Sequence, residues 1–543
     1  MSRGLVLGCA LGLLALWFAA LAARPLFNPD EGRYAEIPRE MLAGGDWVIP
    51  HLNGFAYIEK PPLQYWATAL AIAAFGASAW VARLYTTLCA FACVAVIAWT
   101  AHRLWGAAAS WRAAAVSGSL LLFLVLAHVL TLDMSLSFWM TACLCAFLLA
   151  QDHAQRADAR AARRAMLAAW VCAALGVMTK GLVAALIPGA VLLIYTAYRR
   201  DLSPWRRLHA LPGLALFLAI TVPWHVLAQR RLPDFAEFFF VREHFARFMT
   251  PVADREQPAW FFAVMFLVGT LPWTGGALRA LATGWARLDA PGFDTRAFLR
   301  LWVLFILLFF SLSDSKLIPY ILPALPALGL LMAAQPADVR RRDALQASLL
   351  ALCVGAALAA TLAALPWLAQ SAERAPYFLA LRPAMGGAAA LLLWAGLWSR
   401  RCWHTNADPA LPLAAGWTAA VLLLLLGARA LAPVYSGATL VEALPAAVRA
   451  TAPVYSVRTY DQGLSFYWRR PVTLVEYRGE LDYGLRHDPH RAIASIEEFR
   501  LRWQQLDQGF AIMEPDTLNT LRAQGLPMRV VARDVHRVLV ARR

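Results

Sequence analysis

Residues 4–23 read GLVLGCALGLLALWFAALAA, and residues 28–36 shortly after them read NPDEGRYAE. The first stretch is twenty residues without a charge, the length a helix needs to cross a ~30 Å hydrocarbon core at ~1.5 Å per residue. The second sets Asp30, Glu31, Arg33 and Glu36 directly beyond that crossing. Charges at a membrane boundary are costly unless they are solvated, paired or functional. Working outward, apolar runs of the same length, each with a single arginine, recur at Val81–Thr100 and Leu411–Ala430. Over 543 residues, 60% are apolar and only 15% charged, and mean hydropathy is +0.54. A soluble chain is near half apolar and a quarter charged. A string of soluble domains is excluded. The chain reads as mostly α, a polytopic helical membrane protein, because helical spans satisfy their own backbone hydrogen bonds.

Hydropathy predicts about thirteen spans, near 4–23, 80–101, 113–130, 134–151, 166–178, 181–198, 209–229, 259–278, 298–312, 317–334, 346–368, 379–399 and 411–430. The pair 166–198 reads as a hairpin broken at Met178-Thr179-Lys180-Gly181. Residues 4–23 are taken as an uncleaved span, longer than the apolar part of a signal peptide.

A net charge of +16 invites a nucleic-acid reading. Numbering the loops from an inside N-terminus removes it. The inner segments hold 20 Arg and no Lys against 8 acids, while the outer loops and spans hold 15 cations and 14 acids. That asymmetry is the positive-inside pattern, so no nucleic-acid partner is expected. The eight cysteines lie in spans or in one inner loop, which leaves no disulfide framework outside.

Residues 431–543 change character. Short β-rich runs (Val454–Val457, Val472–Val475, Phe510–Met513, Met528–Ala532, Val535–Val540) alternate with helical patterns near 495–506 and 516–524. This reads as a small outer α/β domain after a membrane domain of residues 1–430.

The outer face carries the unusual residues. The first outer loop, 24–79, holds the acid-rich stretch, then Tyr57-Ile58-Glu59-Lys60, then an apolar segment 63–76 suited to lying in the interface. Lys60, Lys180 and Lys316 are the only lysines among 50 basic residues, and all fall at predicted outer span ends. A compact ammonium differs there from a planar guanidinium. Loop 230–258 carries Phe235, Phe238, Phe239, Phe240, Phe245 and Phe248, a pattern for an amphipathic helix on the bilayer, with His244 and Arg247 on one face and a Glu243–Arg247 ion pair as the bland reading. Asp133 begins the fourth span, as its N-cap or as a functional acid. Carboxylates among several cations at one membrane face suit transfer from a lipid-linked phosphate. The cations neutralise charge developing on the phosphate, and a carboxylate orients an acceptor or balances positive charge on a sugar ring.

At these residues a family resemblance is visible. Asp30-Glu31-Gly32-Arg33-Tyr34-Ala35-Glu36-Ile37, Gly45-Asp46-Trp47 and Tyr57-Ile58-Glu59-Lys60-Pro61 resemble the first periplasmic loop of the bacterial aminoarabinose transferases that modify lipid A. These are GT-C glycosyltransferases related to protein O-mannosyltransferases. Gly176–Gly181, Glu243-His244 to Arg247-Phe248, Lys316–Pro323 and Gly479–Leu485 resemble the same family in the same order.

The resemblance implies thirteen spans in the bacterial inner membrane, a cytoplasmic N-terminus and a periplasmic C-terminal domain. It implies inverting transfer of 4-amino-4-deoxy-L-arabinose from undecaprenyl phosphate to a phosphate of lipid A, with resistance to polymyxin, by a monomer. By motif position Asp30 is the catalytic carboxylate and Asp133 a second acid. Lys60 and Arg247, with Tyr57, Arg33 and Tyr320, hold the donor phosphate. Lys180, Lys316, Tyr34 and Glu31 are further site candidates. Glu59 and His244 are candidate ligands of a divalent ion, although no cofactor is required. The neighbouring alternative is a transferase using another polyprenyl-phosphate sugar or another acceptor. A transporter would instead place charges near the midplane and show repeat symmetry, and neither is seen in the sequence.

Overall fold

The structure, a computed structural model, describes residues 3–246, 256–285, 292–368, 375–405 and 408–542. Among these, seven helices are long and apolar enough to cross a membrane. The apolar pair Phe261–Gly269 and Thr274–Ala282, bent by 119°, is a broken span or a re-entrant loop. Shorter apolar helices include Leu7–Ala23 and Val183–Arg199. Each expected span meets a helix or a broken pair. The third is broken into Ala107–Ser119 and Leu121–Leu126, and the tenth begins as the 3-10 turn Ile318–Ala324 before Leu325–Ala333. Arginine-rich ends wind into the helices, so Ala159–Lys180 and Ala337–Leu368 start well before the apolar part. Ala and Arg are both good helix formers, and the charged turns stand beyond the hydrocarbon.

The expected break in 166–198 is present. Ala159–Lys180 ends at Gly181, whose φ of 90° few other residues adopt without strain. The interfacial candidate is the helix Leu63–Phe75, which buries Tyr65, Thr68, Ala69 and Ile72 and exposes Leu70 and Phe75.

Two expectations are corrected. Phe235 and Phe239 do not lie on a bilayer surface. Both are fully buried against Trp224 and His225, and Phe238 packs on Tyr483 of the tail at 4.4 Å. The run Glu237–Ala246 is a π-helix; a widened turn gives these rings room to interleave. Secondly, Asp133 does not cap its helix. Thr131 is the N-cap of Leu132–Gln155 and accepts from the Asp133 amide, which frees the carboxylate for another partner.

The first outer loop is not an open connection. It contains the helix Asp30–Gly44 and a hairpin, His51–Leu52 against Phe55–Ala56. Asn53 and Gly54 turn that hairpin with φ of 56° and 79°, both positive, as a type I′ turn requires. The tail is a five-stranded sheet. Its order is Thr473–Val475, Val454–Val457, Phe510–Met513, Val538–Ala541, Arg529–Arg533, the first three parallel and the last two antiparallel. The expected strands and the helices Ile496–Gln505 and Pro515–Ala523 are all there. All eight cysteines are free.

Loop and tail share one apolar core. Tyr34, Ile37, Met41, Leu52 and Phe55 from the loop pack with Leu464, Phe466, Trp468 and Leu474 from the tail. The helix Gln462–Trp468 lies against Asp30–Gly44. A Cβ on Gly32 would stand 2.4 Å from the Gly463 nitrogen, so only glycine fits this crossing. Asn28 Oδ1 accepts from that same amide at 3.0 Å. At the hairpin tip, Asn53 donates to the Val472 carbonyl (2.8 Å) and accepts from the Val472 amide (2.7 Å) and the Ser465 hydroxyl (2.8 Å).

Candidate active site at the loop and tail junction

The first turn of Asp30–Gly44 carries two acids, and the chain treats them differently. Glu31 is buried between Arg24 and Arg83. Arg83 reaches it with Nε at 2.7 Å and Nη2 at 2.9 Å, and spends its remaining N–H groups on the carbonyls of Leu21, Arg24 and Pro25. The amides of Phe27 and Leu130 also donate to Glu31, at 2.8 and 3.0 Å. Burial alone would raise its pKa, but the two guanidiniums outweigh burial and hold the carboxyl well below the ordinary range. Glu31 thus anchors the loop to the first and second spans.

Asp30 points the other way. Its side chain is 45% exposed and accepts from Arg33 Nη1 at 2.9 Å. Arg33 is buried and forms a second ion pair with Glu480 of the tail. Its guanidinium lies 5.7 Å from the ring centre of Tyr34 and 6.0 Å from that of Tyr57. Burial opposes its charge, yet Tyr57, Glu480, Tyr34 and Asp30 more than offset this and raise its pKa. Arg33 is a fixed cation. Glu480 is in turn held by Gln462 Nε2 at 2.6 Å, and burial pushes its carboxyl up against the pull of Arg33.

A second cluster adjoins. Lys180 at the end of its helix pairs with Asp133, and its ammonium stands 5.0 Å over the ring of Tyr320. The buried Tyr34 phenol, its pKa raised first by burial, also feels the charges of Arg33, Asp30, Glu59 and Asp133. Tyr34 is thus in electrostatic reach of both clusters. The Tyr57 phenol is raised by burial and lies in reach of Arg33, Glu59 and Glu480.

Lys60, next to Glu59, pairs with Glu243 of the π-helix at 3.1 Å and donates to the Glu59 carbonyl at 2.8 Å. The expected Glu243–Arg247 pair falls on Arg247, which lies outside the described residues, as does the side chain of His244. Lys316 is buried and donates to the Ser313 carbonyl at 2.6 Å. No contact joins it to the other candidates among the described residues. Those residues contain no group of three His, Cys, Asp or Glu that would hold a metal ion.

Glu480 was not among the residues singled out for chemistry. The signal was the tail motif Gly479–Leu485, visible as a resemblance but without a role until the fold brought it to Arg33.

The arrangement is a half-exposed carboxylate on a fixed cation, with the Tyr34 and Tyr57 rings beside that cation. Such a set can bind an anionic donor, orient an acceptor at Asp30 and neutralise a departing phosphate.

A family model described as the aminoarabinose transferase C-terminal domain matches residues 440–542, and one described as dolichyl-phosphate-mannose-protein mannosyltransferase matches residues 5–239. The undecaprenyl phosphate-alpha-4-amino-4-deoxy-L-arabinose arabinosyl transferase of Pseudomonas aeruginosa (strain LESB58) is 35% identical over 92% of this chain and 91% of its own length. The first such transferase of Sodalis glossinidius is 37% identical over 68% of this chain and 67% of its own. The crystal structure of ArnT from Cupriavidus metallidurans bound to undecaprenyl phosphate superposes with a TM-score of 0.87 at 34% identity, covering 100% of this chain and 99% of that one. The fold and these likenesses define a polytopic membrane glycosyltransferase with the GT-C architecture. Within that class, the chain belongs to the family of undecaprenyl phosphate-aminoarabinose arabinosyl transferases.

Proposed function

We propose that this chain transfers 4-amino-4-deoxy-L-arabinose from undecaprenyl phosphate to a phosphate of lipid A on the periplasmic face of the bacterial inner membrane. The observation that carries this reading is the junction site itself. There Arg33 pairs with both Asp30 and Glu480 where loop and tail meet, with the Tyr34 phenol in electrostatic reach of Glu59 and Asp133, in a chain matching the whole of ArnT bound to undecaprenyl phosphate. The concentration of arginine in the opposite loops supports a cytoplasmic N-terminus and a periplasmic tail.

In this reading Lys60 releases Glu243 and takes the donor phosphate, with Arg33, Tyr57, Tyr320 and Arg247 around it. A lipid A phosphate is already an anion near pH 7, so the acceptor needs no strong base. Asp30 then orients the acceptor or balances charge on the ring as the bond to phosphate breaks and the anomeric configuration inverts. The fixed cations supply the charge that a metal would, so the proposal requires no cofactor, and the protein acts as a monomer. Glu59 and His244 are the residues that would hold a divalent ion if one binds.

The test is mass spectrometry of lipid A from cells with and without the gene. Addition of an aminopentose that depends on the gene, with loss of polymyxin resistance on deletion, is the expected result. Unchanged lipid A overturns the acceptor.

A further inference from the structure

On the face opposite the tail, a cavity of about 150 Å³ is lined by Arg112, Trp273, Arg340, Arg341, Asp343 and Asp408, among others. It lies where the helix Ala107–Ser119, the first turns of Ala337–Leu368 and the start of Ala410–Gly427 meet. All three are span ends, so the cavity stands at the level of lipid headgroups.

The carboxylates in its wall are already committed. Arg112 holds Asp408 through Nε at 2.9 Å and Nη2 at 2.7 Å, and Arg279 holds Asp343 at 2.9 Å. Arg340 has no carboxylate among its contacts. It donates to the backbone carbonyls of Gln335 (2.5 Å) and Ala333 (3.4 Å), while its buried Nε has no partner. Arg341 also lines the cavity; it donates through Nη2 to the Trp403 carbonyl at 2.7 Å, and its guanidinium stands 4.9 Å over the Trp403 ring. An orientation signal needs only charge somewhere in a loop. It does not call for guanidiniums folded into a cavity with a buried donor left over. Such a donor is costly unless something accepts from it. The amino end of Ala410–Gly427 adds partial positive charge.

We propose that this cavity binds the phosphate of an anionic lipid headgroup in the leaflet on that side, with Arg340 and Arg341 as its cradle. Paired planar guanidiniums suit phosphate oxygens, which accept two N–H groups side by side. The inference uses no part of the donor or acceptor reading and stands apart from it.

Full-length protein in neutral detergent would be titrated with phosphatidylglycerol, phosphatidylcholine or inorganic phosphate, with binding read by native mass spectrometry and thermal unfolding. Phosphatidylglycerol is expected to bind and raise Tm by several degrees, and phosphatidylcholine is not. Arg340→Gln with Arg341→Gln should weaken phosphatidylglycerol by about tenfold or more. Arg400→Gln, exposed on the same face, should leave it unchanged. Equal binding of phosphatidylcholine, an unaffected double variant, or an equal loss in Arg400→Gln overturns the proposal. Inorganic phosphate binding as tightly as the lipid overturns the lipid as its source. If the double variant fails to fold, phenylglyoxal labelling of the parent protein decides. Arg340 should be protected by phosphatidylglycerol alone, and an unprotected Arg340 rejects the site.

Discussion

Asp30 and Glu31 are neighbours on one helical turn, and replacing each should break a different property. Asp30→Asn keeps shape and removes a half-exposed charge, leaving Arg33 its second ion pair with Glu480. Turnover should fall by about 10³-fold or more, with Tm within about 1 °C of the parent and donor still bound. An active Asn variant would remove Asp30 from the mechanism. Glu31→Gln leaves Arg24 and Arg83 buried without their counter-ion, which should cost about 3–5 kcal/mol. Its pH signature is distinct as well. The folded pKa of Glu31 lies below the ordinary glutamate value, so its stabilisation is complete above about pH 4.3 and is lost as pH falls toward the folded value. Thermal unfolding against pH should slope downward below about pH 4.3 in the parent and flatten in Glu31→Gln. The sequence marked both acids but could not separate them. What separates them is Arg83, a charge within a predicted span, brought within 2.7 Å of Glu31 by tertiary packing.

At the scale of elements, the helix Asp30–Gly44 is what the sequence concealed. Its acid-rich first turn was visible, but residues 31–38 are all buried, so no apolar stripe of helical period stands against a polar face. Pro38 inside it argues further against a helix. The tail strands were legible because β-rich runs alternate with helical ones, and the span positions because apolar length alone reveals them. Breaks within spans were less so, since a hydropathy window averages over the 119° bend between Gly269 and Thr274. The docking of Asp30–Gly44 on Gln462–Trp468 gives a sharp test at Gly32. Gly32→Ala puts a methyl group 2.4 Å from the Gly463 nitrogen, and backbone cannot yield as a flexible side chain does. Tm should fall by several degrees and turnover should fall with it, because Asp30 and Arg33 ride on the displaced helix. An unaffected Gly32→Ala would show that loop and tail are not packed as described. Asn53→Ala, losing three hydrogen bonds to the tail, should destabilise by about 1–3 kcal/mol with a smaller effect on turnover.

At the scale of the whole molecule, the expected division at residue 430 separates sequence patterns more than it separates cores. The tail supplies Glu480 to the Arg33 pair and, with Leu464, Phe466, Trp468 and Leu474, part of the apolar core that holds Tyr34. A chain ending at residue 431 should therefore be inactive and prone to aggregation, even with every span present. Activity of that truncated chain in detergent would overturn the shared core. Tail residues 440–542 supplied separately should restore little, since the contacts they make are interior ones.

That shared core also sets a schedule for synthesis. Asn28 and Gly463 are hydrogen-bonded partners 435 residues apart. At a ribosomal pace of about 5–20 residues per second, the first leaves the ribosome about 20–90 s before the second. For that interval the nascent enzyme carries a finished acidic turn, two anchoring arginines and a bare greasy flank with nothing to cover it. The membrane helices come first and the lock comes last, so a pause or a premature stop late in translation yields a protein that is inserted yet never assembled.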